Sequence, residues 1–173
     1  MVFFAGLGNC NIQFYTITVF RFVAVNGSSM ESTLMDGERL LSSNVLYTPK
    51  SGDIIIFTVD GLRFSGYSDR NYPLVKRIIA VEGEEVELDF DEGTVKVNGQ
   101  LLDEPYASPM HNSEDMQQQT KFIVPENTVF VMGDNREVSM DSRSSVVGFV
   151  DTRSIIGHVL LRFSPLNKFG FVK

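Results

Sequence analysis

The chain is predicted to be mostly β, an antiparallel sheet domain with a short apolar N-terminal helix in front of it. Short runs rich in Val, Ile and Phe recur between turn signals from about residue 22 onward. Beyond the N-terminal segment there is no helical periodicity longer than about two turns, and no internal repeat. With 173 residues, 43% of them hydrophobic and 21% charged, the chain suffices for one cored domain.

Taken in order, residues 1–20 ("MVFFAGLGNCNIQFYTITVF") hold no charged side chain, the first basic one being Arg21. About 20 residues reach across a bilayer core, which makes this segment a candidate membrane anchor. Asn9, Asn11 and Gln13 would be costly against lipid and two glycines weaken the helix, so an amphipathic or buried first element stays open. A cleaved secretory signal is not indicated, because a basic n-region and a small-x-small site are both missing. Residues 21–173 form the β-rich domain. Its strand candidates are 22–25, 53–59, 74–81, 85–89, 94–98, 128–132 and 154–163. Asp91-Glu92-Gly93 joins the fourth and fifth as a hairpin, and Asn98-Gly99 makes the next tight turn. Residues 103–120, polar and carrying two prolines, form the longest excursion.

Charge and composition exclude several function classes. A net charge of -7 without a Lys/Arg cluster argues against nucleic acid as a partner. Cys10 is the one cysteine and has no intrachain partner. Metal-ligand spacings, Gly-rich phosphate loops and dinucleotide fingerprints are all missing, so neither metal nor cofactor is expected.

The stretch "VNGSSMESTL" (25–34) is either a polar turn or the seat of a nucleophilic serine, and a serine needs a base to remove its proton. His111 lies in the polar excursion and His158 in the middle of a strand, so neither is a strong candidate. Gly-x-Ser-x-Gly fails because Glu31 occupies its last position, and no serine stands three residues before a lysine. Lys76, in "YPLVKRIIAV", is more informative. Period-two alternation puts Leu74, Lys76, Ile78 and Ala80 on one face, aiming an amine where apolar neighbours point. Lowering its pKa to 7 or 8 takes roughly 3 to 4 kcal/mol of differential solvation, which burial can supply. A lysine that snorkels to the surface is the alternative. Residues 133–148, "GDNREVSMDSRSSVVG", crowd hydrogen-bonding groups after an apolar strand, either a polar network or an ordinary charged turn.

Together these stretches resemble type I signal peptidase, the bacterial leader peptidase family of Ser/Lys proteases. The family's Gly-x-Ser-Met-x-Pro-Thr-Leu appears as "GSSMESTL", its lysine motif as "VKRIIAVEGE", and its Gly-Asp-Asn-Arg-x-x-Ser-x-Asp-Ser-Arg as "GDNREVSMDSR". "VKVNGQLLDEPY", "VPENTVFVMGDNR" and "GFVDTRSIIGHVLLRFSPLNKFG" match the stretches between and after them, so the likeness runs over roughly residues 20–170 in the family's order.

The resemblance implies a signal-peptidase-like β domain with Ser29 as nucleophile and Lys76 as general base. It makes Ser139 the hydroxyl that orients the amine, Asp141 with Arg143 a supporting ion pair, and Arg77 with Asp134 a second one. Gly27 stands where some members carry an extra oxyanion hydroxyl, leaving backbone amide or water for that task. Val23, Val25, Met30, Leu34, Leu74 and Val75 would wall two shallow pockets for small residues of an extended signal peptide. Phe14, Phe20 and Phe22 would form a rim that grazes the membrane surface, core or anchor positions being the alternative for them, and the implied location is the extracytoplasmic side of the cell membrane, with single-pass or peripheral attachment. Two departures stand out. Ser32 replaces the family's proline, freeing φ and restoring a backbone donor, and the N-terminal segment is more polar than the family's anchors and lacks their basic flank.

Two other readings compete. The self-cleaving domain of SOS-type repressors also joins a Ser/Lys pair to a β fold, but it needs a DNA-binding domain ahead of the first strand. A β-sheet module that holds signal peptides without cutting them is the non-enzymatic alternative.

Overall fold

The computed structural model describes residues 20–59, 73–110 and 120–172. Twelve strands follow in chain order. They are β1 (Arg21–Ala24), β2 (Arg39–Ser43), β3 (Ile54–Thr58), β4 (Pro73–Val81), β5 (Glu85–Asp89), β6 (Thr94–Val97), β7 (Gln100–Leu101), β8 (Lys121–Ile123), β9 (Thr128–Met132), β10 (Val150–Asp151), β11 (Ile155–Ser164) and β12 (Gly170–Phe171). Helix among the described residues is limited to two 3-10 turns, Thr152–Ser154 and Leu166–Lys168. None is long and apolar enough to cross a membrane. The expected apolar N-terminal helix, Cys10, Phe14 and His111 lie outside the described residues.

The strands form two antiparallel sheets. The larger runs β1-β2-β11-β3-β4-β9-β10, with β12 added beside β11, and the smaller runs β7-β6-β5-β8. The expected hairpin forms with Asp89 opposite Thr94. Asn98 and Gly99 both take positive φ, 52° and 77°, the geometry that a two-residue hairpin turn demands.

β4 is the hinge of the architecture. Alternation predicts one buried face, yet every residue from Lys76 to Ala80 is buried. The reason is that Ile78 packs with Ile55, Phe57 and Val131 of the large sheet, while Ile79 and Ala80 pack with Val86, Val95 and Phe122 of the small one. A strand covered on both sides reads as a continuous apolar run, and here that run receives two cations. A third cluster, Val25, Met30, Leu34, Leu40, Ile54, Ile56 and Val159, closes the end of the large sheet that carries residues 25–38.

The strands missing from the sequence reading are β2, β7, β8, β10 and β12. Four of them are three residues long or shorter, and β2, "RLLSS", ends in polar residues that carry no strand signal of their own.

Candidate active site

Residues 25–38 form a loop between β1 and β2 whose neck is closed by Val25 N–H donating to Glu38 O (2.8 Å) and Gly37 N–H to Val25 O (3.0 Å). Gly27 sits at φ 97°, a left-handed value suited to glycine, and its N–H donates to Asp36 Oδ1 at 2.8 Å. A tight turn follows, closed by Leu34 N–H donating to Met30 O at 2.8 Å. Met30 and Leu34 dive into the core beneath this turn, leaving Ser29 at its rim.

Facing the loop, Lys76 is only 2% exposed. Its Nζ lies 2.6 Å from Ser29 Oγ and 3.0 Å from Val75 O. The snorkelling alternative does not hold. Burial pushes the amine's pKa from 10.5 down to about 8; Asp141 and Asp134 pull it upward, and Arg143 pushes with the burial.

The stretch after β9 grips the loop from the side. Asn135 donates its N–H to Ser29 O (3.1 Å) and its carboxamide to Ser28 O (3.2 Å). Arg77 holds Asp134 through two bonds, Nε to Oδ1 at 2.9 Å and Nη2 to Oδ2 at 2.7 Å, and Thr33 Oγ1 donates to the same carboxylate. The Arg77 guanidinium also donates to Gly52 O at 2.9 Å and stacks 3.8 Å from the Tyr106 ring centroid. Arg143 and Asp141 make a second two-bond pair, both contacts 2.8 Å, and Asp141 accepts the Gly133 N–H at 2.9 Å. All four of these charged side chains are buried, which requires the pairing observed.

Two sequence expectations need correction. Ser139 is buried beside Gly133, but its Oγ makes no hydrogen bond to any described residue, so the expected bond to the Lys76 amine is not formed. Leu34, expected in a pocket wall, is fully buried in the core. The other wall residues do meet: Val23, Val25, Met30, Leu74 and Val75 line one cavity of about 120 Å³ together with Ser29, Lys76 and Ile56. At Ser32, the residue in place of proline, Oγ donates to Tyr106 O at 3.2 Å, and the Glu31–Ser32 peptide is cis.

Sequence reasoning missed Thr33, Tyr106, and the buried pair of Arg136 with Glu104 (Nη1 to Oε2 3.0 Å), whose Arg136 Nε also donates to Gly133 O at 3.1 Å. Their charged partners, Asp134, Arg77 and Glu104 in turn, stand 29 to 101 residues away, and only the crowding of 133–148 hinted at them. His158 stacks on Tyr47 at 4.3 Å and takes no part in the site. Among the described residues no cluster of three or more His, Cys, Asp or Glu could hold a metal.

Fold and site together define an all-β domain that seats one hydroxyl against one desolvated amine at the mouth of a small apolar cavity. The sequence profile of the family described as signal peptidase, peptidase S26, matches residues 2–164, and the chain belongs to that family. It is 40% identical over 152 residues to a probable signal peptidase I-1 of a Synechocystis species, covering 84% of this chain and 72% of that one. It is 33% identical over 164 residues to signal peptidase IB of Staphylococcus aureus, covering 85% of this chain and 79% of that one. A crystal structure of a signal peptidase I from Enterococcus faecalis V583 is similar over 66% of this chain and 97% of that one, at 32% identity and a TM-score of 0.46.

Proposed function

We propose that this chain is an endopeptidase that removes N-terminal signal peptides from exported pre-proteins after an Ala-x-Ala-like site, with Ser29 as nucleophile and Lys76 as general base. The contact of 2.6 Å between Lys76 Nζ and Ser29 Oγ carries the reading. The neutral amine takes the Ser29 proton as Oγ attacks the scissile carbonyl. The resulting ammonium returns that proton to the leaving amine, and water, deprotonated by the same lysine, releases the acyl group. The Ser29 N–H donates to none of the described residues and is the candidate oxyanion donor in place of the side chain that Gly27 lacks. Asp134 with Arg77 and Asp141 with Arg143 hold the loop after β9 against the serine, and Ser139 fills the space beside Gly133.

β4 pairs with β9 only from Arg77 onward, so among the described residues 73–76 have no strand partner on that side, beside the cavity, and β1 is an edge strand of the same sheet. A signal peptide would lie there as an added strand. A cavity of about 120 Å³ suits alanine-sized side chains and excludes bulk.

Residues 1–20 are proposed as the membrane anchor and 21–173 as the catalytic domain, on the extracytoplasmic side. Supporting a membrane contact, the register aligns Phe22, Leu41, Leu161 and Phe171 in one row across β1, β2, β11 and β12. Phe22 and Phe171 are 75% and 82% exposed, an unusual apolar surface for water.

The test is cleavage of an Ala-x-Ala pre-protein at pH 8 by the parent beside Ser29→Ala and Lys76→Ala. Cleavage by the parent alone supports the assignment. Equal cleavage by all three, or by none, refutes it and in the second case favours a signal-peptide-binding module.

A further inference from the structure

Glu38, at the neck of the serine loop, is a carboxylate only 3% exposed, and two cations meet it. Arg162, near the end of β11, donates from Nη1 to Glu38 Oε2 at 2.8 Å and to Thr33 O at 3.0 Å. Its Nε holds Lys168 O at 2.9 Å, and Lys168 Nζ lies 3.2 Å from Glu38 Oε1. Burial pushes the Glu38 carboxyl up, but the bonds from Arg162, Met35 and Lys168 hold it below the usual value.

We propose that Arg162 is a positioning residue for the Ser29 hydroxyl: one guanidinium pins the loop's outgoing arm at Thr33 and its neck at Glu38, keeping Oγ on the Lys76 amine. The inference rests on the assignment of Ser29 and Lys76 above. The loop is gripped from two separate elements. Asn135 and Asp134 come from the stretch after β9 and hold Ser28, Ser29 and Thr33 from one side. Arg162 comes from β11, and through Glu38 it also fixes the residue whose carbonyl closes the neck on Val25. With one grip gone the loop pivots on the other, and a displacement of about 1 Å at a reacting atom costs on the order of a hundredfold in rate. The same displacement opens the cover over Lys76 to water. The charged groups acting on that amine, Asp141, Arg143 and Asp134, stay where they are.

The experiment measures kcat, KM and the pH profile of signal-peptide cleavage for the parent, Arg162→Met, Arg162→Lys and the double variant Glu38→Gln/Arg162→Met. Arg162→Met alone leaves a buried carboxylate with a weaker counter-charge and is the variant most exposed to misfolding. The double variant removes charge from both sides and decides the question in that case. Expected for both is a kcat lower by about 10- to 100-fold with KM within about threefold, and an acid limb displaced upward by roughly half to one pH unit as water reaches the amine. Arg162→Lys, which can still meet Glu38, recovers part of kcat. A folded double variant with parental kcat overturns the proposal. So does a loss of amplitude with an unmoved limb, which marks a merely structural role. A parent that cuts nothing removes the peptidase assignment itself, a failure distinct from either.

Discussion

Lys76 Nζ touches Ser29 Oγ at 2.6 Å while its remaining described bond goes to the carbonyl of its own neighbour, Val75, at 3.0 Å. Neither contact is to a carboxylate, so no adjacent anion fixes the amine in its charged form. The proton balance of the site is set chiefly by burial, with charges at the next distance correcting it.

On the proposed assignment of Lys76 as the base, the rate of cleavage is expected to rise with pH through about 8 and level off above it. Below that value the amine carries a proton and cannot accept another; above it the base is ready. Initial rates from pH 6 to 10 on one peptide substrate check this, and a profile already flat at pH 6 contradicts it. Lys76→Arg, whose guanidinium stays charged throughout, is expected to be inactive at every pH.

Keeping that amine buried costs stability. A fall from 10.5 to about 8 corresponds to about 3 kcal/mol at about 1.36 kcal/mol per unit. The unfolded chain binds this proton more tightly, so the cost is full below pH 8 and vanishes as the pH rises past 10.5. Lys76→Met is expected to raise stability at pH 7, with a gain over the parent that shrinks between pH 8 and 10.5. Denaturant unfolding of both proteins across that range is the measurement.

Gly133→Ala is expected to abolish cleavage without touching any reacting group. A Cβ there would collide with Ser139 Oγ and with Ser29 O. The second of these is backbone, and the serine turn has to move. A loss of about a hundredfold or more in kcat follows from a shift of that size, and near-parental activity would contradict the close approach.

Asp134→Asn removes a carboxylate that holds the buried Arg77 through two bonds and is expected to lower the midpoint of urea unfolding. Asp151→Asn breaks the exposed pair with Arg153 and should leave the midpoint unchanged. Ser139→Ala deletes a buried hydroxyl that has no hydrogen-bond partner among the described residues and should leave stability at least equal to the parent's.

Phe22→Ser with Phe171→Ser is expected to weaken partitioning of residues 21–173 onto phospholipid vesicles by about tenfold or more. Vesicle co-sedimentation reads it. Equal binding by parent and variant would mean that the row across β1, β2, β11 and β12 faces water.

The residues best legible in the sequence were those whose neighbours in sequence carry the signal. Ile54 to Phe57 and Val129 to Met132 are β-branched or aromatic runs, and Asn98-Gly99 names its own turn. Ser29 and Lys76 were recognisable through motifs. Alternation gives Lys76 one apolar face, whereas the small sheet, which nothing in "VKRIIAV" announces, covers the strand's other side as well. The motif puts Leu34 in a wall because a motif records residue type and not depth. Thr33, Glu104, Tyr106 and Arg162 escaped notice because each acts through a partner far along the chain.

β4 belongs to both cores and also presents the amine, while the hydroxyl stands 47 residues upstream and the groups that steady it come later still, at 134, 135 and 162. On the proposed assignment, a chain emerging from the ribosome holds its reagents apart until β11 has closed the large sheet. Competence is thus a property of strand order, since four separated stretches of chain have to meet before the hydroxyl is held on the amine.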